Sequence, residues 1–204
     1  MTIYLHQGDL PDDLKFGPNV AVDTETMGLN PLRDRLCLAQ LSAGDGDAHL
    51  VHLKKAEYAA PNLRALLADP KVTKIFHFAR FDLAVLKQYL DVWAQPIYCT
   101  KIASKLVRTF TDRHGLKDLC RELLEVDISK QQQCSDWGSA EITDAQKEYA
   151  ASDVLHLHRL KEVLDSMLER EGRVHLAEAA FGFLASRAEL DLLGWSEKDI
   201  FAHS

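Results

Sequence analysis

The segment Asn19-Val20-Ala21-Val22-Asp23-Thr24-Glu25 constrains this chain more than any other, because it is an apolar strand that ends in two carboxylates two residues apart. Side chains alternate in extended backbone, so Asp23 and Glu25 leave the same face of a sheet. Val20, Ala21 and Val22 ask for burial, and two like charges at the end of a buried strand are costly unless a cation neutralises them. Oxygen-only ligands favour Mg²⁺ or Mn²⁺ over zinc. For this pair alone, a solvated strand end is the alternative.

The rest of the chain supplies a sheet around that strand. Ile3-Tyr4-Leu5, Asn19 to Asp23, Leu36 to Leu41 and His49 to Leu53 read as strands, several with period-two alternation. Gly44-Asp45-Gly46-Asp47 is a turn signal, which predicts an antiparallel hairpin between the last two. A helix is expected over Pro61 to Ala68, with proline in its first turn, and Lys74 to Phe78 reads as a buried strand running into a helix through Leu90. From about residue 100 the pattern is mostly helical. Strands first and helices around them predict an α/β chain with a mixed sheet flanked by helices.

Composition narrows the class. At 204 residues with 47% hydrophobic and 27% charged residues, the chain suits one globular domain and excludes fibrous and disordered classes. No apolar run approaches the ~20 residues of a membrane helix, and the N-terminal stretch lacks a leader pattern, so an untargeted cytoplasmic protein is expected. A net charge of -7 argues against coating long nucleic acid by counterion release, although a metal-bridged or very short polyanion stays open. Cys37, Cys99, Cys120 and Cys134 form no C-x-x-C pair and read as ordinary reduced thiols.

Two further sites carry acids. Asp82 stands where a strand hands over to an amphipathic helix, a position that a first-turn carboxylate complementing the helix dipole explains equally well. Tyr149 and Asp153 are four apart within one helical pattern from Thr143 to about Leu168, which places them on one face. Thr143 with Gln146 three residues on is a capping-box pattern that supports the helix start.

Taken together and in this order, Asp23-x-Glu25, Asp82 and Tyr149-x-x-x-Asp153 resemble the three exonuclease motifs of the DEDD superfamily in its tyrosine-bearing DEDDy branch. The surrounding text, with Ser135-Asp136-Trp137 and Tyr149-Ala150-Ala151-Ser152-Asp153, is similar to ribonuclease D over roughly residues 18 to 170. The resemblance implies a ribonuclease H-like fold and a 3′-to-5′ exonuclease that uses two divalent metal ions, Mg²⁺ or Mn²⁺. It implies that Asp23 bridges the ions, that Glu25 and Asp153 complete the nucleophile-side ion, and that Asp82 holds the other through water. Tyr149 would orient the attacking water first and accept a proton second, since an ordinary phenol with a pKa near ~10 is a weak base. The chain departs from the pattern at Phe78, near the place of an asparagine often seen in the second motif, and at Cys99-Thr100, where relatives often have aspartate. About thirty residues follow Arg173, whereas full-length ribonuclease D continues into helical nucleic-acid-binding domains.

The substrate is narrowed by two stretches. Glu25-Thr26-Met27-Gly28-Leu29-Asn30-Pro31 resembles a run of oligoribonuclease in which the leucine wedges between the last two bases; a turn leucine covering the core is the bland alternative for Leu29. Lys101, Lys105, Arg108, Arg113, Lys117 and Arg121 stand against Asp112 and Asp118, with His114 among them, which suits either phosphate capture or a solvated helix face. The candidate substrate-binding set is therefore Thr26, Met27, Gly28, Leu29, His77, Arg108, His114 and Lys117.

A compact, acidic DEDDy chain of this kind resembles the nanoRNase C (NrnC) family of alphaproteobacteria. That resemblance implies hydrolysis of 5′-phosphorylated RNA dinucleotides such as pGpG to mononucleotides, and a ring-like homo-octamer. Longer RNA such as tRNA 3′ ends, or DNA, is the alternative substrate, and a non-catalytic nucleic-acid-binding module is the alternative from another class. Residues 1–172 are expected to form the exonuclease domain. Residues 173–204 are expected to form a helix, with the apolar stripe Leu176, Ala180, Phe181, Leu184 and Ala188, and a tail, packed on the same domain or on a neighbouring subunit.

Overall fold

Among the described residues, six strands build one mixed sheet: β1 (Ile3–Gln7), β2 (Asn19–Thr26), β3 (Leu36–Ser42), β4 (Ala48–His52), β5 (Thr73–Phe76) and β6 (Ile97–Cys99), in the order β1-β4-β3-β2-β5-β6. The computed structural model describes every residue except Lys130, Gln133 and Ser204. β2 lies inside the sheet, antiparallel to β3 and parallel to β5, while β1 runs parallel to β4 and β5 parallel to β6. Among the described residues, seven α-helices flank it: α1 (Pro61–Ala68), α2 (Ala79–Leu90), α3 (Thr100–Val107), α4 (Leu116–Leu124), α5 (Asp144–Leu155), α6 (Leu157–Arg170) and α7 (Val174–Leu190). The arrangement is the ribonuclease H-like one expected above. Among the described residues, no helix is long and apolar enough to cross a membrane.

The sheet is buried on both faces, which explains the near-continuous apolar runs. Ala39, Leu41 and Val51 face the larger core, whereas Leu38 and Leu50 face a smaller cluster closed by Trp137, Ile142 and Ala150. The expected hairpin joins β3 and β4. Gly44 (φ 82°) and Gly46 (φ 94°) adopt the left-handed backbone that glycine tolerates, and a Cβ at Gly44 would also come within 2.8 Å of the His158 ring.

The structure departs from the sequence expectation in the helical half and at the sheet edge. The helical pattern from Thr143 to Leu168 is two helices, broken at His156 (φ −103°, ψ −7°). α5 packs over β2, β3 and β4, while α6 packs against α3 and α4, so the chain changes layer at the break. A change of direction leaves period 3.6 intact on either side, so periodicity cannot reveal it. β6 has only three residues and was not anticipated; it is a strand because β5 offers it a parallel partner.

α7 docks on its own domain through Ala177, Phe181, Leu184 and Ala188. Leu176 is 46% exposed, so the buried stripe starts one residue later than the sequence suggested. Beyond it, Asp191–Trp195 winds as a wider π-type turn, and Leu193, Trp195, Ile200 and Phe201 remain exposed. Among the described residues the cysteines are free thiols, with Cys37, Cys99 and Cys120 buried and Cys134 exposed.

Candidate active site

β2 delivers two of the acids and the adjoining helices deliver the others. Asp23 and Glu25 leave one face of the strand as alternation requires, and a register shift between Glu25 and Thr26 turns the strand end into the following loop. α5 brings Asp153 across: one carboxylate oxygen from each of Asp23, Glu25 and Asp153 lies within 4.8 Å of the others. Asp23 accepts a hydrogen bond of 3.1 Å from Gln40 Nε2, its register partner on β3. Asp82, in the first turn of α2 and only 3% exposed, stands outside that trio and accepts a 2.7 Å hydrogen bond from Thr24 Oγ1.

So many acids in one place hold protons that carboxylates ordinarily release. Burial pushes the Asp23 carboxyl well above the usual range, and the charges of Asp82, Asp153 and Glu25 push it further. Glu25 is pushed up to about 9 by burial and then by Asp153 and Asp82. Asp82 is raised to about 7, chiefly by burial, against the opposing hydrogen bond from Thr24. Oxygen donors this close fit hard divalent ions, and the donor set matches magnesium or manganese better than zinc.

Tyr149 precedes Asp153 by one helical turn and lines the same cleft of about 630 Å³. Burial and then the charges of Asp153, Glu25 and Asp23 raise its hydroxyl above the ordinary phenol range, so it keeps its proton at neutral pH. Trp137, 2% exposed, lies behind it with ring centroids 6.0 Å apart. The capping box sets this wall: Gln146 Oε1 accepts from the Thr143 backbone amide at 3.0 Å, and its Nε2 donates to Ser135 Oγ at 3.3 Å and to the Asp136 carbonyl at 3.2 Å. One glutamine thus starts α5 and holds the Ser135-Asp136-Trp137 loop against it.

The end of β2 and the loop after it also contribute to the cleft. Thr26, Met27, Gly28 and Leu29 all line the cleft. Leu29 is 88% exposed and therefore does not cover the core. Gly28 is required by close approach, since a Cβ there would lie 2.4 Å from Asp34 Oδ2. His77 also lines the cleft and its Nδ1 is 2.9 Å from Thr100 Oγ1.

The basic stretch divides. Lys117 lines the cleft, but Arg108 and His114 do not. Arg108 is 1% exposed; it pairs with Glu122 and donates a 2.7 Å hydrogen bond to the Arg113 carbonyl. His114 is held by Ser104, with Nδ1 at 2.8 Å from the hydroxyl. Within this chain Arg108 is buried and paired with Glu122, which follows the basic stretch directly in sequence. Lys101 lines the cleft and was absent from the candidate set. It belongs to the same cationic run, and its place at the start of α3 sets it beside the cleft, with Nζ 4.4 Å from the centroid of the Phe78 ring.

A 3′-5′ exonuclease family pattern matches residues 8–169. The chain belongs to the ribonuclease D-like 3′-5′ exonuclease family. Ribonuclease D of Granulibacter bethesdensis is 36% identical over 161 residues, covering 79% of this chain and 40% of that protein. The chain spans less than half the length of the curated relatives it matches. Two structures of NrnC from Brucella melitensis match from end to end: one with bound Mg²⁺ (58% identity, TM-score 0.96) and one bound to pGG (59% identity, TM-score 0.97), each covering 100% of both chains.

Proposed function

We propose that this protein is a metal-dependent 3′-5′ exoribonuclease that hydrolyses very short RNA, preferentially 5′-phosphorylated dinucleotides such as pGpG, to mononucleotides. The observation that carries the proposal is the Asp23, Glu25 and Asp153 trio lining a cleft that the exposed Leu29 also lines, with buried Asp82 held nearby by Thr24. The whole-length likeness to the pGG-bound NrnC supports the substrate class. As in the motif reading, Asp23, Glu25 and Asp153 would hold one divalent ion and Asp82 would serve the second. Two such ions supply activation of a water and neutralisation of charge at the leaving 3′ oxygen.

The chain's own groups do the rest. Tyr149 keeps its hydroxyl proton and is placed to orient a water by hydrogen bonding. Leu29 can separate the two bases, while Lys101, Lys117 and His77 face the phosphates of a bound dinucleotide from the cleft wall. A ring-like homo-octamer and a cytoplasmic setting complete the proposal, and the exposed Leu193, Trp195, Ile200 and Phe201 supply apolar surface for contact between copies.

The test is competition between pGpG and a seven-nucleotide RNA with the same 3′ end, with Mn²⁺ and then with EDTA. Loss of a charge-assisted contact to the 5′ phosphate is worth about 1.5–3 kcal/mol, so pGpG is expected to be favoured about ten- to a hundredfold. Equal kcat/KM values would leave a general ribonuclease D-like exonuclease, and release of mononucleotides in EDTA would overturn the metal mechanism. Light scattering at micromolar concentration tests the assembly, and a monomer would refute the ring.

A further inference from the structure

We propose that Arg80 is a positioning residue, anchored by the C-terminal turn, that fixes the place of Asp82 in the metal site; this rests on the metal reading above. The local sequence does little to set the start of α2. Its N-cap is Phe78, which has no side-chain capping hydrogen bond and sits in left-handed backbone (φ 72°, ψ 46°). A bulky aromatic in that region is strained, and such strain persists only where the surroundings impose it.

The imposing contact comes from the other end of the chain. Arg80 Nε donates to Asp191 Oδ2 at 2.6 Å, and its Nη2 donates to Asp191 Oδ1 at 2.7 Å and to the Ser196 carbonyl at 2.8 Å. Arg187, on α7, donates to the same Asp191 at 2.6 Å and to the Trp195 carbonyl at 2.6 Å. Asp191 is therefore shared by two arginines, and its side chain is 10% exposed. This planar two-point fork fixes orientation as well as distance.

Arg80 and Asp82 are two residues apart, hence about 200° apart around the helix. One is pinned outward to the C-terminal turn, and the other is pinned inward to Thr24. The first turn of α2 is held from both sides, and its rotation sets where the Asp82 carboxylate points. Without the outer pin, the uncapped turn can relax its strained start and swing Asp82 away from the trio.

The test uses the full-length protein and measures Mn²⁺ binding directly by electron paramagnetic resonance, beside pGpG turnover and thermal melting. Removing a partner that orients a ligand typically weakens metal affinity about 10- to 100-fold. Arg80→Ala and the milder Asp191→Asn are expected to weaken one of the two ions by at least tenfold, with the KM for pGpG unchanged at saturating metal. Asp191→Glu, which keeps the charge, is expected to recover much of the affinity. Wild-type affinity for both ions in Arg80→Ala and Asp191→Asn, with only a lowered melting temperature, would overturn the proposal and leave a staple for the tail. Absence of Mn²⁺ binding by the wild type would overturn the metal reading and this proposal together. Mn²⁺ binding without hydrolysis would overturn the activity alone, with the binding comparison still deciding the role of Arg80.

Discussion

Replacing Asp23 by Asn should make the metal-free protein no less stable, and should remove the stabilisation that metal brings. Carboxylate oxygens of Asp23, Glu25 and Asp153 lie within 4.8 Å, and at an effective dielectric constant of 20 two unit charges at that separation repel by about 3.5 kcal/mol. Metal-free protein relieves this by holding protons, as the raised Asp23, Glu25 and Asp82 carboxyls show. Folded values raised above unfolded ones contribute stability that is fully present below about pH 4 and is lost as pH rises through about 7 for Asp82 and about 9 for Glu25. The metal-free melting temperature should therefore fall between pH 5 and pH 9. The increment on adding Mg²⁺ or Mn²⁺ should grow over the same interval, because the ion displaces those protons. At a hundred times the dissociation constant, binding adds about 2.7 kcal/mol, or roughly 5–11 °C for a chain of this size. Asparagine keeps the acceptor for Gln40 while removing one charge. Thermal melts of both proteins at pH 6 and pH 8, with and without metal, make the comparison. A metal-free variant melting well below the wild type, or one that keeps the full metal increment, would refute the charge-crowding account.

Tyr149→Phe should lower kcat within the broad ~10² to 10⁴ range of a positioned proton-handling group, with little change in melting temperature; an unchanged rate on pGpG would remove the tyrosine from the mechanism. Thr24→Val deletes the hydrogen bond to buried Asp82, and denaturant titration should register about 1–3 kcal/mol, together with a weaker metal response in the melts. Arg108→Ala should cost stability, about 1–3 kcal/mol, because it leaves the Arg113 carbonyl without its donor and Glu122 with only its longer contacts to Arg113 and Arg121, while leaving the KM for pGpG unchanged. A raised KM with unchanged stability would return Arg108 to the substrate.

The chemistry was legible in the sequence because it is written in short spacings. Asp23 and Glu25 share a face by strand alternation, Tyr149 and Asp153 share one by helical repeat, and the Thr143 to Gln146 box marks where that helix begins; local geometry alone fixes all three. The mixed sheet followed from the apolar β2 and β3 runs and the Gly44 to Asp47 turn for the same reason. Tertiary structure alone decided which distant residues meet. It brought Asp153 within 4.8 Å of Asp23 and Glu25, left Asp82 apart on Thr24, and broke the long helical pattern at His156 where the chain changes layer. It also buried Arg108 against Glu122 while turning Lys101 to the cleft, and tied Arg80 to Asp191 across more than a hundred residues. A cation's identity is visible in sequence, but whether it meets a partner carboxylate or a solvent-filled cleft depends on how the helices pack, and that is set by burial of the whole core rather than by any local pattern.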